Sequence, residues 1–276
     1  MSTPLWDYPF WYTTMRGSLV VPTLNEAESI GHVLRQFRTA AEAADRTLFS
    51  RDPVEWEMIV VDGNSTDGTA ELARAEGARV LQEARPGYGQ AYLTGFSEAR
   101  GDVIATLDGD ATYPADLVPT FVRKLMDDRL DFITCDRMAH LDRRAMTTEH
   151  RIGNWVLNLA LQLAYRRFLR EVPGETLNDS QSGMWIFRRE ILERLKLTQP
   201  GMAFSEEIKL EALLRGFRVE EVPIHYAERW GAPKLSSWRD GSKNLLFLLT
   251  KRLDVAREIR RSERVQLTNR SDSAPR

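Results

Sequence analysis

Residues 102–114 read DVIATLDGDATYP and join an apolar run to a polar turn. The run at 102–107 predicts a buried strand, and Asp108, Gly109 and Asp110 follow it at once. Open α/β sheets bind their ligands at the carboxyl ends of strands, which is where these two carboxylates fall. Because Gly109 has no side chain, the turn can bend tightly and bring both carboxylates together. The stretch is therefore a candidate site for a hard divalent cation, which takes carboxylates together with phosphate oxygens of a substrate. The alternative is an ordinary turn, since Asp and Gly both favour turns.

Strand-like and helix-like patterns alternate before this stretch. Strands are predicted by four short apolar runs, at 18–21, 56–62, 78–82 and 102–107. A helix-like segment follows each of the first three runs. Such alternation favours an α/β fold with a mostly parallel, Rossmann-like sheet and helices on both faces. The loops after these runs, at 22–26, 62–68, 84–89 and 108–112, are polar or rich in glycine and should open on the same edge of the sheet.

Composition narrows the classes of protein that are possible. The chain has 276 residues, of which 42% are hydrophobic and 28% charged, as in an ordinary folded domain. Its net charge of -2 provides no global basic field for nucleic acid. The single cysteine, Cys135, excludes an internal disulfide framework and indicates a reducing, cytoplasmic compartment. No run approaches the roughly 20 apolar residues that a membrane-spanning helix needs.

Four motifs occur together and in order: VPTLNE at 21–26, VVDGNSTDGT at 60–69, GYGQA at 87–91 and DGD at 108–110. With them the chain resembles family 2 glycosyltransferases of the GT-A fold, and most closely the dolichol-phosphate mannosyltransferase branch. The resemblance covers about 17–249. It implies an inverting enzyme that moves mannose or glucose from GDP-mannose or UDP-glucose to a polyprenyl or dolichyl phosphate.

The resemblance implies roles for matched residues of a nucleotide-sugar half at about 17–130. Asp62 is expected to accept a hydrogen bond from the nucleobase, and Asp108 to face the nucleotide or the sugar. Asp110 is expected to hold Mg2+ or Mn2+ against the diphosphate. Thr112 stands where relatives often carry a Gln, and it would be a weaker second metal ligand. Three further residues are expected to line the nucleotide pocket: Pro22, Asn25 and Glu26.

The acceptor half is expected at about 131–250. A phosphate acceptor that meets a nucleotide diphosphate brings like charges together, and arginine offsets them with bidentate geometry. The matched residues expected to bind the acceptor or its charges are Arg137, Arg151, Asn154, Arg229 and Lys234. Asp179 and Glu207 are the remaining catalytic candidates. They would position groups beside a phosphate acceptor, which needs no general base, whereas either could be the base for a sugar hydroxyl.

The segment 152–169 is apolar almost all round and has two interpretations. It could be a buried core helix. Alternatively, Trp155, Tyr165 and the arginines near its ends suit a helix lying on a membrane surface. The aromatic segment at 1–16 favours the membrane, because Trp and Tyr prefer the interface. We expect a cytoplasmic protein with peripheral contact to the cytoplasmic membrane face, a domain at 17–250 and a polar tail at 251–276.

Two other functions stay open on the sequence alone. The chain could be a GT-A transferase that acts on a soluble or glycan hydroxyl. It could also be a regulator that binds sugar nucleotides without turnover, although the intact Asp108, Asp110 and Arg137 argue against this. A nucleotidylyltransferase is disfavoured, since the loop at 22–26 is acidic rather than basic and glycine-rich.

Overall fold

The computed structural model describes residues 14–141, 146–169, 177–231 and 241–257. Within these ranges strands and helices alternate through the first half of the chain. The strands are β1 (Arg16–Thr23), β2 (Glu55–Asp62), β3 (Arg79–Gln82), β4 (Val103–Thr106), β5 (Phe132–Leu141), β6 (Trp185–Arg188) and β7 (Val219–Tyr226). The α-helices are α1 (Ile30–Thr47), α2 (Thr69–Ala75), α3 (Tyr88–Glu98), α4 (Val118–Asp127), α5 (Thr148–Leu169), α6 (Phe204–Leu214) and α7 (241–257).

These strands form one sheet in the order β3-β2-β1-β4-β6-β5-β7. β1 pairs in parallel with β2 and β4, β2 with β3, and β5 with β7. β6 is antiparallel to both of its neighbours, β4 and β5. The carboxyl ends of the parallel strands therefore share an edge with the beginning of β6. This geometry brings the segment 178–183 beside the loops that follow β1, β2 and β4.

Helices cover both faces of the sheet, as the alternation in sequence predicts. Successive side chains of a strand point to opposite faces. In β1, Leu19 and Val21 pack in the cluster that contains α1, α2 and α4. Val20 between them packs in the cluster that contains α3 and α6. The predicted α/β fold with a mostly parallel sheet is confirmed, and β6 is an antiparallel strand within it.

Helices α5 and α7 form a further layer outside α6. Their buried residues pack into one cluster with α6, namely Leu157, Leu161, Tyr165, Ala203, Leu210, Phe247 and Leu248. The Tyr165 hydroxyl donates a hydrogen bond to the carbonyl of Leu248 at 2.9 Å. The Arg252 Nε donates to the carbonyl of Ala164, also at 2.9 Å. The two helices thus pack together as one unit on α6.

The outer faces of α5 and α7 are apolar and open to solvent. Trp155 is 63% exposed, Leu163 67% and Leu246 62%. Large exposed apolar residues recur at helical spacing on both helices, at Ile152, Trp155, Val156, Leu159, Leu163, Leu245, Leu246, Leu249 and Leu253. The interpretation of 152–169 as a core helix buried on all sides is therefore wrong. In the described part of the chain, no helix is both long and apolar enough to cross a membrane.

Some boundaries differ from those expected. Helix α5 begins at Thr148, so Arg151 lies inside the helix rather than in the polar connection before it. The described residues of helix α7, 241–257, extend past residue 251, where the polar tail is expected to begin. Lys234 and nearly all of the aromatic segment at 1–16 lie outside the described residues. The division into a nucleotide-sugar half and an acceptor half stays a prediction.

Candidate active site

The loops after β1 and β2 are joined by hydrogen bonds into one rigid unit. The Asn25 backbone N–H donates to Ser65 Oγ at 2.7 Å, and Asn25 Oδ1 accepts from the Thr66 N–H at 2.8 Å. The Glu26 N–H donates to Thr69 Oγ1 at 2.8 Å. Asn25 has a φ of 52°, in the left-handed region that asparagine tolerates better than most residues. These contacts fix the orientation of the expected nucleotide pocket before any ligand binds.

Asp62 lies at the end of β2 and is buried. Its Oδ2 accepts a hydrogen bond from the Ser65 N–H at 3.0 Å, and its Oδ1 accepts one from Thr23 Oγ1 at 3.3 Å. The carboxylate therefore shapes its own loop. Thr23 pairs with Asp62 across the two strands, and Pro22 pairs with Val61 one residue earlier. The nucleobase contact expected of Asp62 stays a prediction.

The Asp108–Asp110 turn is pressed against the loop after β1. A Cβ on Gly109 would lie 2.9 Å from Thr23 Cγ2, so no larger residue fits there without movement. The Gly109 carbonyl accepts a hydrogen bond from Ser29 Oγ at 2.6 Å. Ala111 has a φ of 63°, an uncommon conformation for a residue with a side chain. The turn is therefore strained, which is common where a site is held in a fixed geometry.

Asp110 is almost fully buried and has partners on both of its carboxylate oxygens. Its Oδ1 accepts hydrogen bonds from Thr112 Oγ1 at 2.6 Å and from the Thr112 N–H at 3.2 Å. Its Oδ2 lies 3.2 Å from Arg229 Nη1. The other guanidinium nitrogen, Arg229 Nη2, lies 2.6 Å from Glu26 Oε1. Thr112 thus orients Asp110, and its expected role as a metal ligand stays a prediction.

Asp108 lies close enough to Asp110 for their charges to interact. Burial, and then the negative charge of Asp110, raise the pKa of Asp108 to about 7. The Tyr88 hydroxyl donates to Asp108 Oδ1 at 2.9 Å. A Cβ on Gly183 would lie 2.1 Å from that same hydroxyl, so a larger residue in the turn before β6 would displace Tyr88. Tyr88 lies within the GYGQA motif but was not among the residues expected at the site.

The pair of carboxylates suits a divalent cation. Both are hard oxygen donors, and the charge repulsion that raises the pKa of Asp108 would be relieved by a cation between them. Among the described residues, no group of three or more His, Cys, Asp or Glu side chains could hold a metal. The remaining ligands would have to be phosphate oxygens and water, as is usual for Mg2+.

Arg137 and Asp179 form a buried ion pair on the acceptor side. Arg137 Nε donates to Asp179 Oδ2 at 2.7 Å, and Nη2 donates to Oδ1 at 2.8 Å. Burial favours a higher pKa for Asp179, but Arg137 outweighs it and holds that pKa below its usual value. Arg137 also stacks over the Tyr226 ring, with Cζ 5.3 Å from the centroid. The geometry keeps Asp179 ionised and makes it a positioning group for Arg137.

Glu207 lies fully buried on α6 and holds a loop rather than facing the carboxylate pair. Its Oε2 accepts hydrogen bonds from the backbone N–H groups of Thr198 and Gln199, each at 2.8 Å. Its Oε1 accepts one from Thr198 Oγ1 at 2.9 Å. A proton acceptor for a substrate hydroxyl needs an oxygen free to reach it. The expectation that Glu207 could be a general base is not favoured by this position.

The loop held by Glu207 packs on the GYGQA motif. A Cβ on Gly87 would lie 2.2 Å from the Pro200 carbonyl oxygen, and one on Gly89 would lie 2.2 Å from that of Gln199. The Gln90 N–H donates to the Pro200 carbonyl at 2.9 Å. Both glycines are therefore required by close backbone approach.

The other acceptor residues are less closely grouped. Arg151 is exposed on the first turns of α5. Asn154 is half-buried, and its Nδ2 lies 3.6 Å from the Met146 sulfur and 4.0 Å from the Met138 sulfur. The structure thus brings Arg137, Asp179 and Arg229 together beside the Asp108–Asp110 pair, a group we call the inner site. It places Arg151 and Asn154 on α5.

The part of the sequence that contains the four motifs matches a protein-family model. The model described as "Glycosyl transferase family 2" matches residues 18–196, which is more than half of the chain. The chain belongs to glycosyl transferase family 2. The resemblance given by the four sequence motifs is thereby confirmed.

Two relatives from Haloferax volcanii match most of this family 2 chain. A low-salt glycan biosynthesis hexosyltransferase is 32% identical over 234 residues, 84% of this chain and 52% of the relative. The chain thus spans about half the length of that relative. A dolichyl-phosphate hexose transferase is 33% identical over 231 residues, 84% of this chain and 91% of the relative.

A solved structure supports the fold. Glucosyl-3-phosphoglycerate synthase from Mycobacterium tuberculosis, crystallised with Mn2+, UDP and glucosyl-3-phosphoglycerate, superposes with a TM-score of 0.66. That match covers 90% of this chain and 86% of the synthase at 23% identity, so it bears on the fold alone. The predicted GT-A fold is confirmed.

Proposed function

We propose that this family 2 glycosyltransferase transfers a hexose, with inversion, from a nucleoside-diphosphate sugar to a polyprenyl phosphate. The observation that carries the proposal is the 33% identity to a dolichyl-phosphate hexose transferase across 91% of that relative. The placement of two arginines beside the carboxylate pair, Arg137 and Arg229, adds physical support. The donor would be GDP-mannose or UDP-glucose, the two candidates that the family resemblance implies.

On the donor side, each residue has a defined task. Asp110, oriented by Thr112, would hold Mg2+ or Mn2+ against the diphosphate, with Asp108 facing the nucleotide or the sugar. When bound, the metal would offset the charge that develops on the departing nucleoside diphosphate. Asp62 would accept a hydrogen bond from the nucleobase. Pro22, Asn25 and Glu26 would form the wall of the pocket.

On the acceptor side, the chemistry needs cations more than a base. A phosphate monoester is anionic near neutral pH, so its oxygen can attack the sugar without giving up a proton. Arg137 is held by Asp179 in a buried, bidentate pair and would meet the acceptor phosphate at a fixed position. Arg151 and Lys234 would supply further positive charge. A hydroxyl acceptor would need a free carboxylate, and both Asp179 and Glu207 are fully engaged.

We further propose that the outer face of α5 and α7 rests on the cytoplasmic surface of an anionic membrane. Exposed Trp, Ile, Leu and Val side chains cover this face. The residues of α5 carry a net charge of +2 and those of α7 +3, whereas the whole chain carries -2. Apolar residues combined with local positive charge are typical of interfacial helices. The surface would bring the site to a lipid-linked acceptor.

Transfer of label separates the possible functions. The purified chain is incubated with radiolabelled GDP-mannose or UDP-glucose, Mn2+ and either polyprenyl phosphate in vesicles or soluble glycans. Label in the organic phase, lost when polyprenyl phosphate is omitted, supports the proposal. Label in a water-soluble glycan would point to a hydroxyl acceptor, and donor binding without transfer would point to a regulator.

A further inference from the structure

Arg229 lies between two carboxylates, Asp110 and Glu26, whose negative charges call for a cation. It follows β7, and its guanidinium bridges Asp110 and Glu26 from two different loops. The Trp230 N–H donates to the Asp110 carbonyl at 3.1 Å, and the Trp230 ring stacks on His32 with centroids 4.8 Å apart. The segment that carries Arg229 is thus fastened over the carboxylate expected to bind the metal.

One nitrogen of Arg229 is left without a partner. The Nε is buried and has no hydrogen-bond partner in the described part of the chain. A buried donor without an acceptor is costly, and such groups in folded proteins often await a ligand. Arg137 differs, because its Nε and Nη2 both donate to Asp179. Of these two arginines at the inner site, Arg229 has the less satisfied guanidinium.

A divalent cation and this guanidinium compete for one carboxylate. Asp110 Oδ1 accepts hydrogen bonds from Thr112, so a cation would have to bind Oδ2. In the structure Arg229 lies against that oxygen. Two positive groups on one oxygen repel strongly in a buried site. A guanidinium stays protonated at all relevant pH values, so the repulsion can be relieved only by movement.

We propose that Arg229 is a resident counter-cation of the donor site. In the free protein it offsets part of the negative charge of Asp110 and Glu26. When a divalent cation binds the Asp110 carboxylate, the guanidinium moves to a phosphate of the nucleoside diphosphate. The proposal rests on the proposed function for the identity of that anion. Planar Arg suits the exchange because carboxylate and phosphate both accept its paired N–H groups. Metal alone should therefore bind weakly, and nucleotide should strengthen metal binding by giving Arg229 a new partner.

The test measures metal binding without catalysis. Free Mn2+ is titrated by electron paramagnetic resonance against the full chain, first alone and then with saturating UDP or GDP. Arg229→Gln and Arg229→Met both remove the charge, and Arg229→Met keeps most of the aliphatic stem. Arg85→Gln is the matched control, because Arg85 pairs with Glu83 in the loop after β3, at the same edge of the sheet.

Both Arg229 variants should bind Mn2+ alone about tenfold more tightly, equivalent to about 1.4 kcal/mol. The enhancement of Mn2+ binding by nucleotide should shrink in the same variants, while the Arg85 control should match the wild type. Unchanged or weaker binding of Mn2+ alone by folded Arg229 variants would overturn the proposal. Failure of both variants to fold would assign Arg229 a purely structural role and would also count against it. A missing lipid product would refute the proposed function without altering this Mn2+ result.

Discussion

Replacing Leu163 and Leu246 together by asparagine should weaken binding to anionic vesicles and leave the fold intact. The two side chains are 67% and 62% exposed, so neither contributes much to the core. Full burial of a leucine stabilises by about 1.5–3 kcal/mol, so burying the exposed part of each contributes about 1–2 kcal/mol. Losing both should cost about 2–4 kcal/mol, a roughly 30- to 700-fold weaker partition into vesicles.

Co-sedimentation with vesicles of anionic lipid at low salt measures this partition. The control is Leu72→Asn, because Leu72 is an exposed leucine on α2, across the sheet from α5 and α7. Salt should weaken the binding of the wild type, since basic residues near an anionic surface contribute on the order of 1 kcal/mol each and are screened. Equal sedimentation of the double variant and the wild type would refute the assignment of this face. A wild type that stays in the supernatant would refute the membrane proposal itself.

Three further outcomes are expected. Asp110→Ala should abolish transfer while thermal unfolding stays cooperative, and full activity of this variant in EDTA would exclude the metal role. Gly183→Ala should impair activity and lower the Tm, because its Cβ would lie 2.1 Å from the Tyr88 hydroxyl; a wild-type Tm would contradict that contact. The pKa of Asp108 is about 7 in the folded state against 3.8 in the unfolded chain. In EDTA, the folded state therefore binds the carboxyl proton of Asp108 more tightly than the unfolded state does. The stabilisation that comes from protonated Asp108 should therefore decline as pH rises toward about 7, by up to about 1.4 kcal/mol per pH unit. Asp108→Asn should remove this decline, which chemical denaturation at pH 5 to 8 would show.

The sheet and its first four loops could be predicted from the sequence because their signals are local. Apolar runs such as 102–107 and 56–62 form buried strands, and a run of this kind predicts a strand wherever it lies. The parallel order of the first strands follows from their alternation with helices. The direction of β6 could not be predicted, since strand pairing depends on partners far away in the chain.

The acceptor side was harder to predict for a related reason. Glu207 resembles a catalytic carboxylate in sequence, but its environment depends on a loop that folds back to it. Tyr88 was overlooked because its contact with Asp108 joins a helix start to a distant turn. The apolar residues of 152–169 gave no indication of which face α6 would cover. The motif at 229–235 marked Arg229 as a candidate site residue, but its partners Asp110 and Glu26 follow only from the fold.

The contact between the GYGQA motif and the loop at 196–200 limits which segments can be exchanged between members of this family. Gly87 and Gly89 lie against carbonyls of a loop that Glu207 on α6 holds from behind. A chimera joined near residue 130 would take the motif from one parent and the loop from another. Its two parts would then meet where backbone approaches backbone so closely that a mismatch has little room to be absorbed. The smallest exchangeable unit in this chain therefore includes both segments, and libraries that shuffle donor specificity should keep 87–90, 196–200 and Glu207 from the same parent.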